Sequence, residues 1–298
     1  MGHPHGSERI EQNGSESIVN TKILFFTMFS LSMLPRLALG SDGGGVLVPA
    51  NVPHEAWDAL LKKYVNDRGL VAYADWKKNQ ADVQALDDYL KQFAEKPQTP
   101  AGRNDAAASL INLYNATTIK WILSNYPTES IQALTDSFSA KRHEIGGANV
   151  SLDDIENNTL RPFLGYRAHA VLVCAARTCP PLQRFAYTGA QLDQQIDTAY
   201  GAWLARDDLN QFLPDKKKVE ISSIFNWFKN DFDQTGGAKQ VLVKYAPQQY
   251  HDFLAGGDYE ISYLPYNWGL NDQGDHGKDY GRNQMIWDWV LNVLHLRK

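Results

Sequence analysis

The chain's two cysteines both fall in Arg167-Ala168-His169-Ala170-Val171-Leu172-Val173-Cys174-Ala175-Ala176-Arg177-Thr178-Cys179-Pro180-Pro181-Leu182, an apolar run that also carries a histidine. Cysteine and histidine together can run thiol chemistry: a thiolate attacks a carbonyl and an imidazole moves the proton. Cys179 is the candidate nucleophile. A helical turn starting at Pro180 would make it the N-cap, and the turn's positive end and Arg177 would both favour thiolate. Read as a strand, Ala168 to Cys174 places His169 with Val171 and Val173 and turns Cys174 to the other face. By that parity Cys174 is the buried, inert sulfur, and Cys179 is the one that a chain reversal could return to His169. The same pair also suits a second reading. Four residues between Cys174 and Cys179 can meet the separation a disulfide requires, and in an exported protein a disulfide would persist.

A histidine base needs an orienting partner. Glu156, after Asp153-Asp154-Ile155, is one candidate and Asn267 a second. Asn112 and Asn115 lie three apart on one side of a helix and, with Arg167 and Asn271, are the candidate binding residues. Each of these polar residues can equally serve as buried hydrogen-bonding glue. His143, His251, His276 and His295 lack metal-ligand spacing, and Asp272, Asp275 and Asp279 lack the pattern and terminal Glu of a calcium loop. No GxGxxG, P-loop, GxSxG or HExxH pattern occurs. No metal and no cofactor is expected.

The elements that must position these groups follow from periodicity. Helices are expected from Pro53 to Gly69, Asp82 to Phe93, Asn104 to Tyr126 and Ser151 to Arg161. Further helices are expected over Gln191 to Arg206, Ser222 to Phe232, Gly237 to Tyr245 and Gln284 to Leu296. The helix at Asn104 carries Ala106, Leu110, Leu113, Thr117 and Trp121 on one face. Short strands are expected at Leu70–Tyr73, Ala168–Cys174, Lys218–Ile221 and Tyr259–Leu264, with a hairpin over Arg142–Val150 turning at Gly146-Gly147. Helices dominate and no βαβ rhythm appears, so the fold class is α+β, a helix-rich single domain around a small sheet.

Lys22, the apolar run Ile23 to Leu34 and the small-residue site Ala38-Leu39-Gly40 predict a secretory signal peptide in residues 1–40, and hence a periplasmic or extracellular protein, with an uncleaved membrane anchor as the alternative. Residues 41–50 are then a Gly-rich linker, 51–271 the domain, and 272–298 a polar loop followed by an apolar helix. That helix carries Met285, Ile286, Trp289, Val290, Val293 and Leu296 on one stripe. It is expected to dock on the domain, with a membrane surface or a protein partner as the alternative. The net charge of −5 argues against a nucleic-acid groove and leaves a small molecule or a peptide as the substrate class.

Four blocks together resemble the domain-of-unknown-function family 547. They are Leu110–Ala116, Ser151–Glu156, Arg167–Leu182 and Tyr263–Asn271. A cysteine, a histidine and acidic or amide residues in that pattern are similar to a thiol hydrolase or acyl-transferase set of the papain and transglutaminase type. In this chain the histidine precedes the cysteine, the reverse of papain-like order. Asn267 and Gly269 stand where the family block has Asp and Ser, so Asn267 could orient an imidazole as an amide but not as a charge. The resemblance implies a cysteine-dependent hydrolase or transferase. The alternative is an envelope binding or scaffolding protein stapled by a Cys174–Cys179 disulfide.

Overall fold

The computed structural model describes residues 45–280. The expected signal peptide and the C-terminal helix from Gln284 lie outside those residues. Among the described residues no helix is long and apolar enough to cross a membrane.

The chain opens with α1 (Glu55–Tyr64), α2 (Tyr73–Lys78) and α3 (Gln80–Lys91). The apolar spacing of α1 buries Trp57, Leu60, Leu61 and Tyr64 on one side. Asn79 caps α3 by accepting from the Asp82 amide. Val71 makes only isolated bridges, to Val65 and Asp272, where a strand over Leu70–Tyr73 was expected. Residues 45–50, expected as a linker, are packed: Val46 and Val48 are buried, and Pro49 bridges Pro100.

Next comes α4 (Arg103–Asn125), which is the centre of the molecule. Sixteen of its 23 residues are buried. The one-sided stripe expected from the sequence is therefore only part of its contact surface. A helix covered all round needs partners for its polar residues, and that requirement fixes the roles of Asn112 and Asn115 below.

A short hairpin follows, β1 (His143–Ile145) and β2 (Ala148–Val150), turning at Gly146 and Gly147, both at positive φ. Ser151 then starts α5 (Leu152–Ile155) through a reciprocal capping box with Asp154. A π turn, Glu156–Leu160, links α5 to α6 (Arg161–Leu164). The remaining elements are α7 (Leu192–Leu204), β3 (Gln211–Leu213), β4 (Lys218–Ser222), α8 (Ile224–Trp227), α9 (Lys229–Asp233), α10 (Ala238–Tyr245), α11 (His251–Gly256) and β5 (Glu260–Leu264). β4 is central in a mixed sheet, antiparallel to β3 and parallel to β5. The class is α+β.

The run Ala168–Cys174 is not a strand. Residues Gly165–Ala170 form a 3₁₀ turn and the chain continues without a ladder to Cys174. Its backbone is satisfied by a side chain instead. Asn115 donates from Nδ2 to the Val171 carbonyl and accepts at Oδ1 from the Val173 amide, both at 2.9 Å. A buried apolar run supported this way carries the same composition as a buried strand, and the parity argument for His169 and Cys174 fails with it.

Candidate active site

Four stretches of chain, with α8 beside them, enclose a cavity of about 240 Å³. Tyr114 comes from α4, and Asp153 and Glu156 come from α5 and the start of the π turn. His169, Leu172, Cys174 and Cys179 come from the cysteine segment, and Tyr266 and Trp268 from the loop after β5. Each of the four blocks singled out in the sequence therefore supplies at least one wall. The wall is far more aromatic than those blocks suggested, because Phe138, Trp227 and Phe228 join it.

Cys179 reaches the cavity by a reversal rather than from a helix start. Ala175 takes a left-handed φ of 60°, a conformation uncommon for a residue with a Cβ. The Cys179 amide then donates back to the Ala176 carbonyl at 3.2 Å. No helix follows at Pro180. Arg177 turns away and donates to the carbonyls of Asp272, Gly274 and His276. Neither the turn dipole nor Arg177 acts on the thiol as expected.

The reversal is held by the segment that carries Tyr266. Ala176 bridges Leu270, the Arg177 amide donates to Gly269 at 2.7 Å, and the Asn271 amide donates to Ala175 at 2.9 Å. Gly269 and Gly277 approach so closely that a Cβ on Gly269 would lie 1.9 Å from the Gly277 carbonyl oxygen. On the other side, a Cβ on Gly69 would lie 2.5 Å from Pro181 Cα and from the Leu182 nitrogen. Backbone contacts this tight leave the Cys179 loop little freedom.

The two sulfurs lie 2.8 Å apart and both thiols are free. A disulfide would bring them to about 2.05 Å. Cys179 is buried and Cys174 is half-buried, the reverse of the exposure expected from the sequence. Their protonation follows bonding rather than exposure. Burial pushes the Cys179 thiol up, but hydrogen bonds from Cys174, from the Tyr266 hydroxyl at 3.1 Å and from backbone groups outweigh it, and the thiol lies below its ordinary value. Cys174 is raised well above its ordinary value, first by donating to Cys179 and then by burial. The sulfur pair thus favours a Cys179 thiolate beside a Cys174 thiol.

His169 is buried and stacks on Phe228, with ring centroids 4.2 Å apart. Its partner is Asp231 of α9: Nε2 lies 2.7 Å from Asp231 Oδ2, and Arg161 Nε donates to the same oxygen at 2.8 Å. Burial lowers the imidazole to about 4, against the raising effect of Asp231. The contact is therefore a hydrogen bond from a neutral ring rather than an ion pair. Because an ionised carboxylate only accepts, Nε2 carries the proton and Nδ1 the lone pair.

The expected orienters lie elsewhere. Glu156 lines the cavity but accepts from the Tyr114 hydroxyl at 2.9 Å. Burial raises its carboxyl above the ordinary range. Asn267 accepts from the Gly269 amide at 2.8 Å and shapes the loop. Asp231 was missed because it sits 62 positions from His169, in a stretch that reads from the sequence as an aromatic-rich packing helix.

The four expected binding residues do not line the cavity. Asn112 pairs both ways with the Tyr187 backbone at 2.8 Å, and Asn115 clamps the cysteine segment. Asn271 accepts from the Tyr73 hydroxyl at 2.9 Å, and Arg167 is salt-bridged to Asp193 at 2.7 Å. The three amides hold backbone and ring in place around the site. Among the described residues no group of three or more His, Cys, Asp or Glu is placed to hold a metal ion.

Residues 99–204 match the family described as "Protein of unknown function, DUF547". The match contains three of the four blocks, and Tyr263–Asn271, which supplies Tyr266 and Trp268, lies beyond it. No curated protein and no solved structure matches the chain.

Proposed function

Since residues 99–204 of this chain match the DUF547 family, whose description assigns no activity, we propose from the cavity itself that the protein is a cysteine-dependent hydrolase or acyl transferase. The observation that carries this reading is a single cavity lined both by Cys179, with its thiol lowered, and by His169, held neutral against Asp231. In this mechanism Cys179 Sγ attacks the substrate carbonyl carbon, the C–S bond forms and the scissile C–N or C–O bond breaks. The leaving group takes the proton that the thiol released. His169, through Nδ1, then removes a proton from water or from an acceptor, which attacks the thioester. The C–S bond breaks and the proton returns to sulfur. Asp231 stabilises the imidazolium formed on the way. Cys179 is hydrogen-bonded to Cys174 and Tyr266, so His169 acts on the second half of the cycle.

The test is a panel of thioester and activated ester or amide substrates, read for a burst followed by turnover. Cys179→Ser should abolish both phases. His169→Gln should keep the burst and lose the turnover. A protein in which Cys179→Ser leaves turnover intact would end the reading.

One observation favours a second reading. Sulfurs 2.8 Å apart need little movement to close a disulfide, which suits an exported binding or scaffolding protein with Cys174–Cys179 as a staple. A thiol count on protein from its native host, under non-reducing conditions, separates the two. Two free thiols support the enzyme, and none supports the staple.

A further inference from the structure

Thiol chemistry at Cys179 uses the floor of the cavity and leaves its mouth unexplained. Four aromatic side chains form that mouth. Trp227 and Trp268 lie nearly parallel, at 13°, with centroids 6.0 Å apart. Tyr266 leans against them at 4.7 and 4.8 Å, and Phe138 meets Trp268 edge-on at 6.5 Å. Trp227 is 48% exposed, so an indole face stands open at the entrance. The charged residues of the lining are Asp153 and Glu156, with no lysine or arginine.

Neither carboxylate has an ion-pair partner among the described residues. Their neighbours do: Asp154 lies 3.5 Å from Lys141, and Asp231 is 2.8 Å from Arg161. Asp153 has only the Asn157 amide at 3.3 Å, and Glu156 only the Tyr114 hydroxyl. Burial raises both carboxyls, and Asp154 raises Asp153 further.

Aromatic faces carry negative quadrupole charge and attract cations, most strongly where water is partly excluded. Arg161 acts on Glu156 from behind, over the Phe228 ring, whereas Asp153 has only burial and the like charge of Asp154 acting on it. Both features call for the same missing partner. We propose that the mouth of this cavity binds an alkylammonium group, held on the exposed face of Trp227 and by Asp153. The substrate delivered to Cys179 is then an ammonium-bearing molecule, and that last clause alone rests on the acyl-transfer reading. Such a ligand also accounts for the exposed Trp227, whose face it covers.

The experiment uses the Cys179→Ser protein, in which thiol chemistry cannot interfere, and follows tryptophan fluorescence and calorimetry. The charged probes are choline and butylammonium. Their uncharged counterparts are 3,3-dimethylbutan-1-ol and 1-butanol, and 3,3-dimethylbutanoate is the anionic control. At least one charged probe should bind at least about tenfold more tightly than its neutral counterpart, with the anion weakest. Trp227→Ala and Asp153→Asn, both at the rim, should each reduce that preference to below about threefold with an unchanged circular dichroism spectrum. Equal binding of charged and neutral probes, tighter binding of the anion, or a preference that survives both substitutions would overturn the proposal. The two readings fail separately. A cation preference in the Cys179→Ser protein, with neither burst nor turnover from the unsubstituted protein, leaves the ammonium site standing and removes the thiol mechanism. Burst and turnover from the unsubstituted protein, without a cation preference in Cys179→Ser, do the opposite.

Discussion

Of the two sulfurs, Cys174 is the less buried and Cys179 the better hydrogen-bonded. Exposure and ionisation therefore predict opposite orders of reaction, and alkylation decides between them. In the folded, reduced protein a limiting dose of iodoacetamide should label Cys179 first, because the thiolate is the nucleophile. A lowered pKa keeps the thiolate as pH falls, so the labelling rate should reach half its maximum below pH 9.0, the ordinary thiol value. Tyr266→Phe removes a donor to that sulfur and should shift the profile upward. Peptide mapping after labelling at a series of pH values checks both. His169 carries a separate prediction. Its folded pKa of about 4 lies below the ordinary 6.5, so the unfolded chain binds more protons in that window. Its contribution is fully present above 6.5, is lost as pH falls from 6.5 towards 4, and levels off below that. The size is up to about 3 kcal/mol at roughly 1.4 kcal/mol per unit. His143 is lowered to about 4 by burial as well and should contribute in the same window. Burial lowers His54 too, so His169→Gln should flatten the dependence of melting temperature on pH in part, by the share of one of three histidines, which scanning calorimetry between about pH 4 and 7 measures.

At the scale of elements, local signals were enough where the local chain makes its own structure. Ser151 with Asp154 announces α5, Gly146-Gly147 announces the hairpin, and the apolar spacing of α1, α4 and α7 announces those helices. The cysteine segment failed because its hydrogen-bond partner is a side chain 56 and 58 positions away, and an apolar run does not say whether a strand or an asparagine will satisfy it. Helix spacing showed Asn112 and Asn115 sharing a side, but not that each would clamp a distant backbone. This gives a direct prediction. Asn115→Ala leaves the Val171 carbonyl and the Val173 amide without partners in the core, at a cost of about 2–4 kcal/mol. Urea unfolding should show a lowered midpoint with the slope retained. Gly69→Ala should cost roughly 2 kcal/mol or more, because its Cβ meets Pro181 and Leu182 backbone and its φ is +75°. That same substitution should disturb Cys179 labelling, since Pro181 lies two residues from the sulfur.

Taken as a whole molecule, the cavity belongs to no single segment. The family match ends at residue 204, yet Trp227, Asp231, Tyr266 and Trp268 all lie beyond it. Truncation after residue 260 should therefore leave Cys179 with ordinary thiol reactivity even if α4 and α5 still fold, as the same alkylation profile would show. The distances along the chain also have a consequence in time. Tyr266 follows Cys179 by 87 positions, and ribosomes add roughly 5–20 residues per second. For roughly 4 to 17 s during synthesis, the cysteines exist without the tyrosine that acidifies one of them. Until the last wall is made the nascent chain carries two ordinary thiols, and only the completed cavity lowers the Cys179 thiol.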